Sequence, residues 1–413
     1  MKIKKVHGRQ ILDSRGQPTV ECVLELEGGV QVCASVPSGA SVGKYEAHEL
    51  RDGDPAHFGG KGVLKALKNL ETEIAALLLN QEPDVISMDA AMITCDGTPD
   101  KSRLGANALL AASIAVVRAQ ALSQRVELYE LIYKLWGFEA PQMPVCMFNI
   151  INGGLHAHND LAIQEFMIMP RGGTFAGRLE VADAVYAELK KLLEGSSYST
   201  AIGDEGGFAP QFKGRGMKKE QAALDLLMNA CSRTGGDIVF CLDVAASQFY
   251  DARSKKYRLH DVQMDAQQLI DWYAQLCSHY PIDSLEDGLD QDDWDGWQHL
   301  THLLELRMQV VGDDLFATNV ERIAQGIERH SANAVLIKPN QIGTVSEAVQ
   351  AIKLCKKAGL KTIISHRSGE TNDSFIADLA VGTAADQLKA GAPVRGERVA
   401  KYNRLLAIEE LLG

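Results

Sequence analysis

The stretch at residues 334–368 decides the fold, because it predicts a strand, a helix and a second strand in succession. The apolar run Ala-Val-Leu-Ile-Lys (334–338) ends at a lysine, and the run Lys-Thr-Ile-Ile-Ser-His-Arg-Ser (361–368) ends in polar residues. Between them, residues 344–357 carry apolar side chains at helical spacing. Two parallel strands need a crossover of this kind. The stretch therefore predicts a β-α-β unit whose strands run directly into charged side chains.

The same pattern recurs through the carboxyl-terminal part of the chain, with amphipathic segments of helical length between the apolar runs. The runs end at Asp243, Glu286, Asp313, Lys338, His366 and Lys389. Serial units of this kind predict a (β/α)8 TIM-like barrel, a fold of about 250 residues. Because parallel strands of one barrel end on the same face, we expect these side chains and Arg367 to meet there.

The amino-terminal part predicts a separate, smaller domain. Residues 1–36 alternate apolar and polar in three runs separated by turn residues, as in an antiparallel meander, and helical spacing follows at 62–79, 84–93 and 107–122. The loop at 37–43 is rich in small residues, as lids often are. We therefore expect an α/β protein with an α+β capping domain at 1–135 and a catalytic barrel at 144–413. The boundary segment 136–144 carries two prolines and a glycine.

Composition excludes several classes of protein. With 42 Lys and Arg against 54 Asp and Glu, the net charge of −12 argues against general nucleic-acid binding. The eight cysteines form no Cys-x-x-Cys pair, which fits a reducing compartment. The amino terminus lacks the apolar core of a signal peptide, and the apolar run at 106–117 stops at Arg118, too short for a membrane span. We expect a cytoplasmic protein, while an additional cell-surface or secreted presence stays open.

Three of the strand-end residues are candidate metal ligands. Asp243, Glu286 and Asp313 offer hard oxygen donors, which Mg²⁺ or Mn²⁺ prefers, and water and substrate would complete the coordination shell. His156 and His158 are spaced like a zinc pair. They have no third soft ligand nearby in the sequence, so we interpret His156 as a substrate contact instead.

The lysines and a glycine-flanked acid pair are candidate proton-transfer groups. A lysine close to a bound metal and to a second cation is expected to have a lowered pKa, which suits a general base. A metal, a lysine base and an acid together suit removal of a proton next to a carboxylate, because the dianionic enolate needs concentrated positive charge. Gly-Asp-Glu-Gly-Gly (203–207) places two acids where no neighbouring side chains crowd a ligand. A plain polar turn is the alternative for that motif.

Thirteen stretches of the chain together resemble the enolase family, in family order and over essentially the whole length. In the amino-terminal half they are Asp-Ser-Arg-Gly-Gln-Pro-Thr-Val (13–20), Pro-Ser-Gly-Ala-Ser (37–41), Glu-Leu-Arg-Asp-Gly-Asp (49–54), Gly-Ala-Asn-Ala (105–108), Asn-Ile-Ile-Asn-Gly-Gly (149–154) and Gln-Glu-Phe-Met (164–167). In the carboxyl-terminal half they are Gly-Asp-Glu-Gly-Gly-Phe-Ala-Pro (203–210), Ser-Leu-Glu-Asp-Gly (284–288), Val-Gly-Asp-Asp-Leu (311–315), Ile-Lys (337–338), Asn-Gln-Ile-Gly (340–343), Ser-His-Arg-Ser-Gly-Glu-Thr (365–371) and Arg-Val-Ala-Lys-Tyr-Asn (398–403).

The resemblance implies reversible dehydration of 2-phosphoglycerate to phosphoenolpyruvate by a homodimer, with larger assemblies open. Lys338 would take the C2 proton, and Glu205 would protonate the leaving hydroxyl with help from Glu165. Asp243, Glu286 and Asp313 would hold one Mg²⁺, and a second would arrive with substrate at its phosphate and the Ser41 backbone. The substrate shell would comprise His156, Gln164, Glu165, Glu286, Asp313, His366, Arg367, Ser368 and Lys389, of which Arg367 and Ser368 would bind phosphate.

The chain departs from the family pattern at Val42, Val244, Gln248, Asp386 and Ala390, none of which is a predicted catalytic residue or metal ligand. These departures bear on lid closure and substrate affinity more than on the reaction. Two other interpretations stay open. One is a sister enzyme of the same superfamily, such as an acid-sugar dehydratase or racemase. The other is a non-catalytic binding or scaffold protein.

Overall fold

The computed structural model describes residues 1–40, 43–212 and 216–413, so the predicted contact Ser41 and the departure Val42 lie outside the described residues. The strands are β1 (Ile3–Leu12), β2 (Pro18–Leu26), β3 (Gln31–Ser35), β4 (Val145–Asn152), β5 (Glu165–Pro170), β6 (Ile238–Asp243), β7 (Tyr250–Asp251), β8 (Lys256–Leu259), β9 (Val262–Met264), β10 (Ile282–Glu286), β11 (Gln309–Gly312), β12 (Ala334–Ile337), β13 (Lys361–Ser365) and β14 (Gln387–Lys389).

The α-helices alternate with the later strands, as the sequence predicts. They are α1 (Leu64–Asn69), α2 (Ala75–Leu78), α3 (Val85–Asp96), α4 (Ala106–Gln124), α5 (Leu128–Trp136), α6 (Phe175–Gly195), α7 (Lys218–Thr234), α8 (Ala266–His279), α9 (Trp294–Leu304), α10 (Val320–Arg329), α11 (Pro339–Ile342), α12 (Val345–Lys357), α13 (Phe375–Gly382) and α14 (Gly396–Leu412). A single π turn, Leu70–Ile74, joins α1 to α2.

The amino-terminal part has the predicted antiparallel meander in the order β1-β2-β3, covered by α4. Among the described residues, α4 is the helix with the length and composition of a membrane span, and 83% of its most apolar window is buried inside the protein. The helix continues past Arg118, so the length argument from the sequence does not hold. The helix is instead buried as a core helix is, so its length and composition are only weak evidence for a membrane span.

Within the described residues, the second part contains a closed eight-stranded barrel in the order β4-β5-β6-β10-β11-β12-β13-β14. The expectation that all of its strands run parallel is wrong for β5, which is antiparallel to both β4 and β6. The reason lies in the connection at 153–164, which holds a short 3₁₀ turn, Gly154–His156, in place of a crossover helix. Two helices, α6 and α7, then follow β5 in succession.

Inside the barrel, strand alternation makes an apolar core that is separate from the packing between strands and helices. Its members are Met147, Met167, Met169, Val239, Cys241, Val311, Ala334, Leu336 and Ile363. On β12, Ala334 and Leu336 belong to this inner core, whereas Val335 and Ile337 pack outward. The next inward position on that strand is residue 338.

The two parts are joined by a buried polar contact at the start of α12. The backbone N–H of Ser346, in the first turn of that helix, donates to Oδ2 of Asp89 on α3 at 2.9 Å. Asp89 is fully buried. Burial raises the pKa of this carboxyl group to about 6, against hydrogen bonds from Ser346 and Ser113 that favour the ionised form.

This contact predicts how stability depends on pH. The pKa of Asp89 is higher in the folded than in the unfolded chain, so the folded state retains the proton longer and stability falls as pH rises from about 4 to 6. Asp89→Asn keeps an oxygen for Ser346 but cannot ionise. As pH rises through that window, we expect the unfolding free energy of Asp89→Asn to increase relative to that of wild type by about 1.4 kcal/mol per pH unit.

Urea unfolding of both proteins between pH 4 and 8 measures the difference. Asp295→Asn, at a position 97% exposed, is the matched control and is expected to track wild type. A wild type whose stability relative to Asp89→Asn rises with pH would contradict the prediction.

Candidate active site

Alternation along the barrel strands turns the predicted residues inward. Lys338 continues the inward series of β12, and Asp243 continues the series Val239 and Cys241 on β6. Pro339 is the first residue of α11 and has no N–H to give to a sheet, so the strand stops just before Lys338. The charged groups therefore follow the apolar interior at the mouth of the barrel.

Lys389 lies at the centre of the carboxylates. Its ammonium group donates to Oδ2 of Asp243 at 3.0 Å and to Oε2 of Glu286 at 2.8 Å, and it lies 3.3 Å from Oε2 of Glu165. Burial acts to lower the pKa of Lys389, but the charges of Asp243, Glu165 and Glu286 outweigh it and hold the pKa well above its usual value. Lys389 is therefore a fixed positive charge.

Lys338 is bonded to a single carboxylate, that of Asp313, whose other oxygen accepts from Nε2 of Gln341 at 3.0 Å. Burial acts to lower the pKa of Lys338, and the charge of Asp313 outweighs it, so the pKa is raised. The lowered pKa was expected for a lysine beside a bound metal, so it stays a prediction for the metal-bound site.

Glu165 and Glu205 form a pair around His156. Nδ1 of His156 lies 3.3 Å from Oε1 of Glu165 and 3.5 Å from Oε1 of Glu205. Burial, followed by the charge of Glu205, raises the pKa of Glu165 to about 7. For Glu205 burial acts in the same direction, but His366, His156 and Arg398 outweigh it and its pKa is well below the usual value. The pair thus keeps its shared proton on Glu165.

The glycine-flanked loop that carries Glu205 packs against the connection between β4 and β5. A Cβ atom at Gly203 would overlap the carbonyl oxygen of His156 and the side chain of Asn152. Nδ2 of Asn149 also donates to Oε2 of Glu205 at 3.1 Å. The glycine therefore permits a close approach, and the motif is more than a polar turn.

Arg367 is buried and is held by Glu46, a residue that the sequence did not single out. Nη1 donates to Oε2 of Glu46 at 2.8 Å and to Oδ1 of Asn340 at 3.1 Å, and Nη2 donates to Oε1 of Glu46 at 3.2 Å. Glu46 also accepts from the N–H of Gly43. The guanidinium fork thus binds a carboxylate that reaches it from the amino-terminal domain.

A narrow cavity at the mouth of the barrel brings most of the predicted residues together. Those that line it are His156, Gln164, Glu165, Glu205, Asp243, Asp313, Lys338, His366, Arg367, Ser368 and Lys389. Glu286 contacts the cavity through Lys389. Glu46, Asp287 and Asp314 also line the cavity and were not predicted. Asp287 and Asp314 directly follow the predicted ligands Glu286 and Asp313 in the sequence.

Among the described residues, two groups place one ligand atom each within 4.8 Å of one another: His156 with Glu165 and Glu205, and Asp287 with Asp313 and Asp314. The predicted ligands Asp243 and Glu286 are joined instead through Lys389. His158 belongs to neither of these groups, and His156 is grouped with carboxylates.

The donors at this end of the barrel fit a divalent cation. All but His156 are carboxylate oxygens, which suit a hard ion better than zinc. Burial, followed by the charge of Asp313, raises the pKa of Asp314 to about 7, and burial with neighbouring carboxylates raises the pKa of Glu286. These shifts show more negative charge than the two lysines balance, and a bound cation would relieve this excess.

Comparison with known families agrees with this arrangement. Residues 3–132 match the model described as the enolase N-terminal domain, and residues 140–413 match the model described as the enolase C-terminal TIM barrel domain. Together the two matches take in nearly the whole sequence. The chain therefore belongs to the enolase family.

Proposed function

We propose that the protein is a phosphopyruvate hydratase, a lyase that reversibly dehydrates 2-phospho-D-glycerate to phosphoenolpyruvate in glycolysis and gluconeogenesis with Mg²⁺. The observation that carries the proposal is the cavity itself. It is lined by a lysine suited to take a proton, a carboxyl pair that holds one, and a guanidinium group suited to phosphate.

Lys338 is the proposed general base for the C2 proton. To accept a proton it must first be neutral, and the charges of Arg367 and Lys389 already act to lower its pKa. Asp313 opposes this through its bond to the ammonium group. Asp243, Glu286 and Asp313 would hold the first cation, and Asp313 would then be shared with it. When bound, the cation supplies positive charge that stabilises a dianionic enolate.

Glu205 is the proposed general acid for the C3 hydroxyl group, which leaves as water. Its low pKa means that it must receive the proton before it can give it. Glu165 holds a proton near neutral pH, and His156 lies within 3.5 Å of both carboxylates. We propose that the two glutamates work as one acid, with Glu165 as the reservoir.

The remaining roles follow the resemblance. Arg367 and Ser368 would bind phosphate, with Arg367 exchanging Glu46 for the substrate. Gln164, His156, His366 and Lys389 would complete the substrate shell. The second Mg²⁺ would arrive with the substrate, near the carboxylates of Asp287, Asp313 and Asp314, with Ser41 as a further ligand.

We also propose that the protein is a cytoplasmic homodimer with domains at 1–135 and 144–413. Light scattering can test the dimer, and limited proteolysis can test the domain boundary.

An acid-sugar dehydratase is the second candidate, since the enolase superfamily shares a barrel of this kind. The guanidinium group buried at the cavity suits phosphate but would also suit the carboxylate of a sugar acid, so turnover of the two substrates distinguishes the candidates. A purely non-catalytic role would leave the protonated Glu165 without a use.

The first functional prediction concerns turnover. Wild type is expected to form phosphoenolpyruvate from 2-phosphoglycerate only with Mg²⁺, and Lys338→Ala and Glu205→Gln are each expected to lose at least about 100-fold in kcat, because each removes a proton-transfer group. Ultraviolet absorbance of the product measures this. Lys190→Ala, on the exposed face of α6, is the control and should match wild type.

An inactive wild type would overturn the reaction and direct the search to acid-sugar substrates. A fully active Lys338→Ala would overturn the base while leaving the reaction in place.

The second functional prediction concerns pH. Because Glu165 must be protonated to act with Glu205, kcat/KM for dehydration is expected to fall tenfold per pH unit above about 7, the pKa of that carboxyl group. Glu165→Gln cannot ionise, so its residual activity should lose this alkaline limb. Profiles at saturating Mg²⁺ from pH 5.5 to 9 measure both proteins. An unchanged limb in Glu165→Gln would assign the titration to another group.

A further inference from the structure

Arg398, in the first turn of α14, is fully buried and donates to two loops of the cavity. Nη1 donates to Nδ1 of His366 and to the carbonyl oxygen of Arg367, both at 2.6 Å. Nη2 donates to the carbonyl oxygens of Asp204 at 2.9 Å and Ser368 at 2.6 Å. Nε lies 3.4 Å from Oε1 of Glu397. One side chain therefore ties the loop of Glu205 to the loop of Arg367.

The contact with His366 decides which ring nitrogen carries the proton. A guanidinium group has donors only, so Nδ1 of His366 must accept and cannot carry hydrogen. In a neutral ring the hydrogen is then on Nε2, which lies 3.1 Å from Oε2 of Glu205. Burial lowers the pKa of His366 to about 3, assisted by the charge of Arg398, so the ring is neutral. The Nε2–H group of His366 thus lies beside the carboxylate of Glu205 and attracts it as a dipole, although the two are not aligned as a hydrogen bond.

We propose that Arg398 is a positioning residue that fixes His366 in its neutral Nε2–H form, and that this form orients the carboxylate of Glu205 in the cavity. In the other tautomer, the lone pair of Nε2 would face the carboxylate and repel it. Arg398 itself does not line the cavity among the described residues. It acts through His366, and its carbonyl contacts keep that ring in reach of Glu205.

The tautomer follows from the contacts alone, whereas its effect on catalysis rests on the proposed function. This allows two separate tests. The first uses ring-¹⁵N histidine and magic-angle-spinning NMR, with the His366 signals among the eleven histidines assigned by their loss in His366→Gln. From pH 5 to 9 we expect a protonated Nε2 and an unprotonated Nδ1. A protonated Nδ1 in wild type would overturn the proposal, whatever the reaction.

Arg398→Lys extends this test. Its single ammonium group cannot replace all the hydrogen bonds that the guanidinium group donates to the two loops. We expect the His366 signals to show both tautomers, and kcat to fall at least tenfold with KM changed less than threefold. Arg233→Lys, an exposed arginine on α7, is the control and should keep both the spectrum and kcat. A single Nε2–H tautomer in Arg398→Lys would overturn the role of Arg398.

The second test compares two substitutions that leave Arg398 in place. Gln at position 366 can still donate an N–H toward Glu205, and Asn can still accept from Arg398 but cannot reach Glu205. We expect His366→Gln to retain at least tenfold more kcat than His366→Asn, at similar KM and thermal stability. Equal losses would overturn the orienting role of His366. Wild type without turnover on 2-phosphoglycerate would instead count against the proposed function, and the NMR result would stand.

Discussion

The site depends on the pairing of Lys389 with buried carboxylates. Its ammonium group holds Asp243 and Glu286 together at the ends of adjacent strands, and it lies within reach of Glu165 on a third. Taking ionised groups out of water costs several kcal/mol each unless they are paired and hydrogen-bonded. Without this lysine, the mouth of the barrel would hold like charges that repel one another. This protein can keep such a dense acidic cluster because the ammonium group of Lys389 balances part of its charge.

The reversed direction of β5 is what brings Glu165 into this cluster. In a fully parallel barrel the first residue of a strand lies at the face opposite the catalytic one. Glu165 begins β5, and the antiparallel register pairs it with Asp243 at the end of β6. One strand reversal thus adds a carboxyl group to the mouth without any crossover helix. The same short connection carries His156, so Glu165 and the ring beside it arise from one local feature, whereas Glu205 comes from the loop between α6 and α7.

The sequence predicts the parts of the site that depend on local patterns along a strand. It does not predict strand direction or contacts between residues far apart in the chain. The positions of Asp243, Glu286 and Lys338 at strand ends follow from apolar runs that stop at a charged residue, and strand alternation then turns inward-facing positions toward one another. The direction of β5 cannot be predicted in this way, because its apolar run at 166–170 would look the same in a parallel or an antiparallel strand. Glu46 and Arg398 were missed because their partners lie more than 30 residues away along the chain. The raised pKa of Lys338 depends on one contact, with Asp313, that spacing cannot reveal.

In this state, many of the groups proposed for chemistry or substrate binding are paired with another side chain of the protein. Lys338 holds Asp313, Lys389 holds Asp243 and Glu286, and Arg367 holds Glu46. Such pairing stabilises buried charges but also makes them less reactive, because a lysine paired with a carboxylate stays protonated and is a poor base. In the proposed reaction, substrate binding would exchange these partners: phosphate would replace Glu46 on Arg367, and a cation would replace the lysines on the carboxylates. Glu46 also bonds the N–H of Gly43. The proposed exchange at Arg367 would thus be linked to the last residue of the predicted lid. It would confine proton transfer to the complex in which both charges of the substrate are bound.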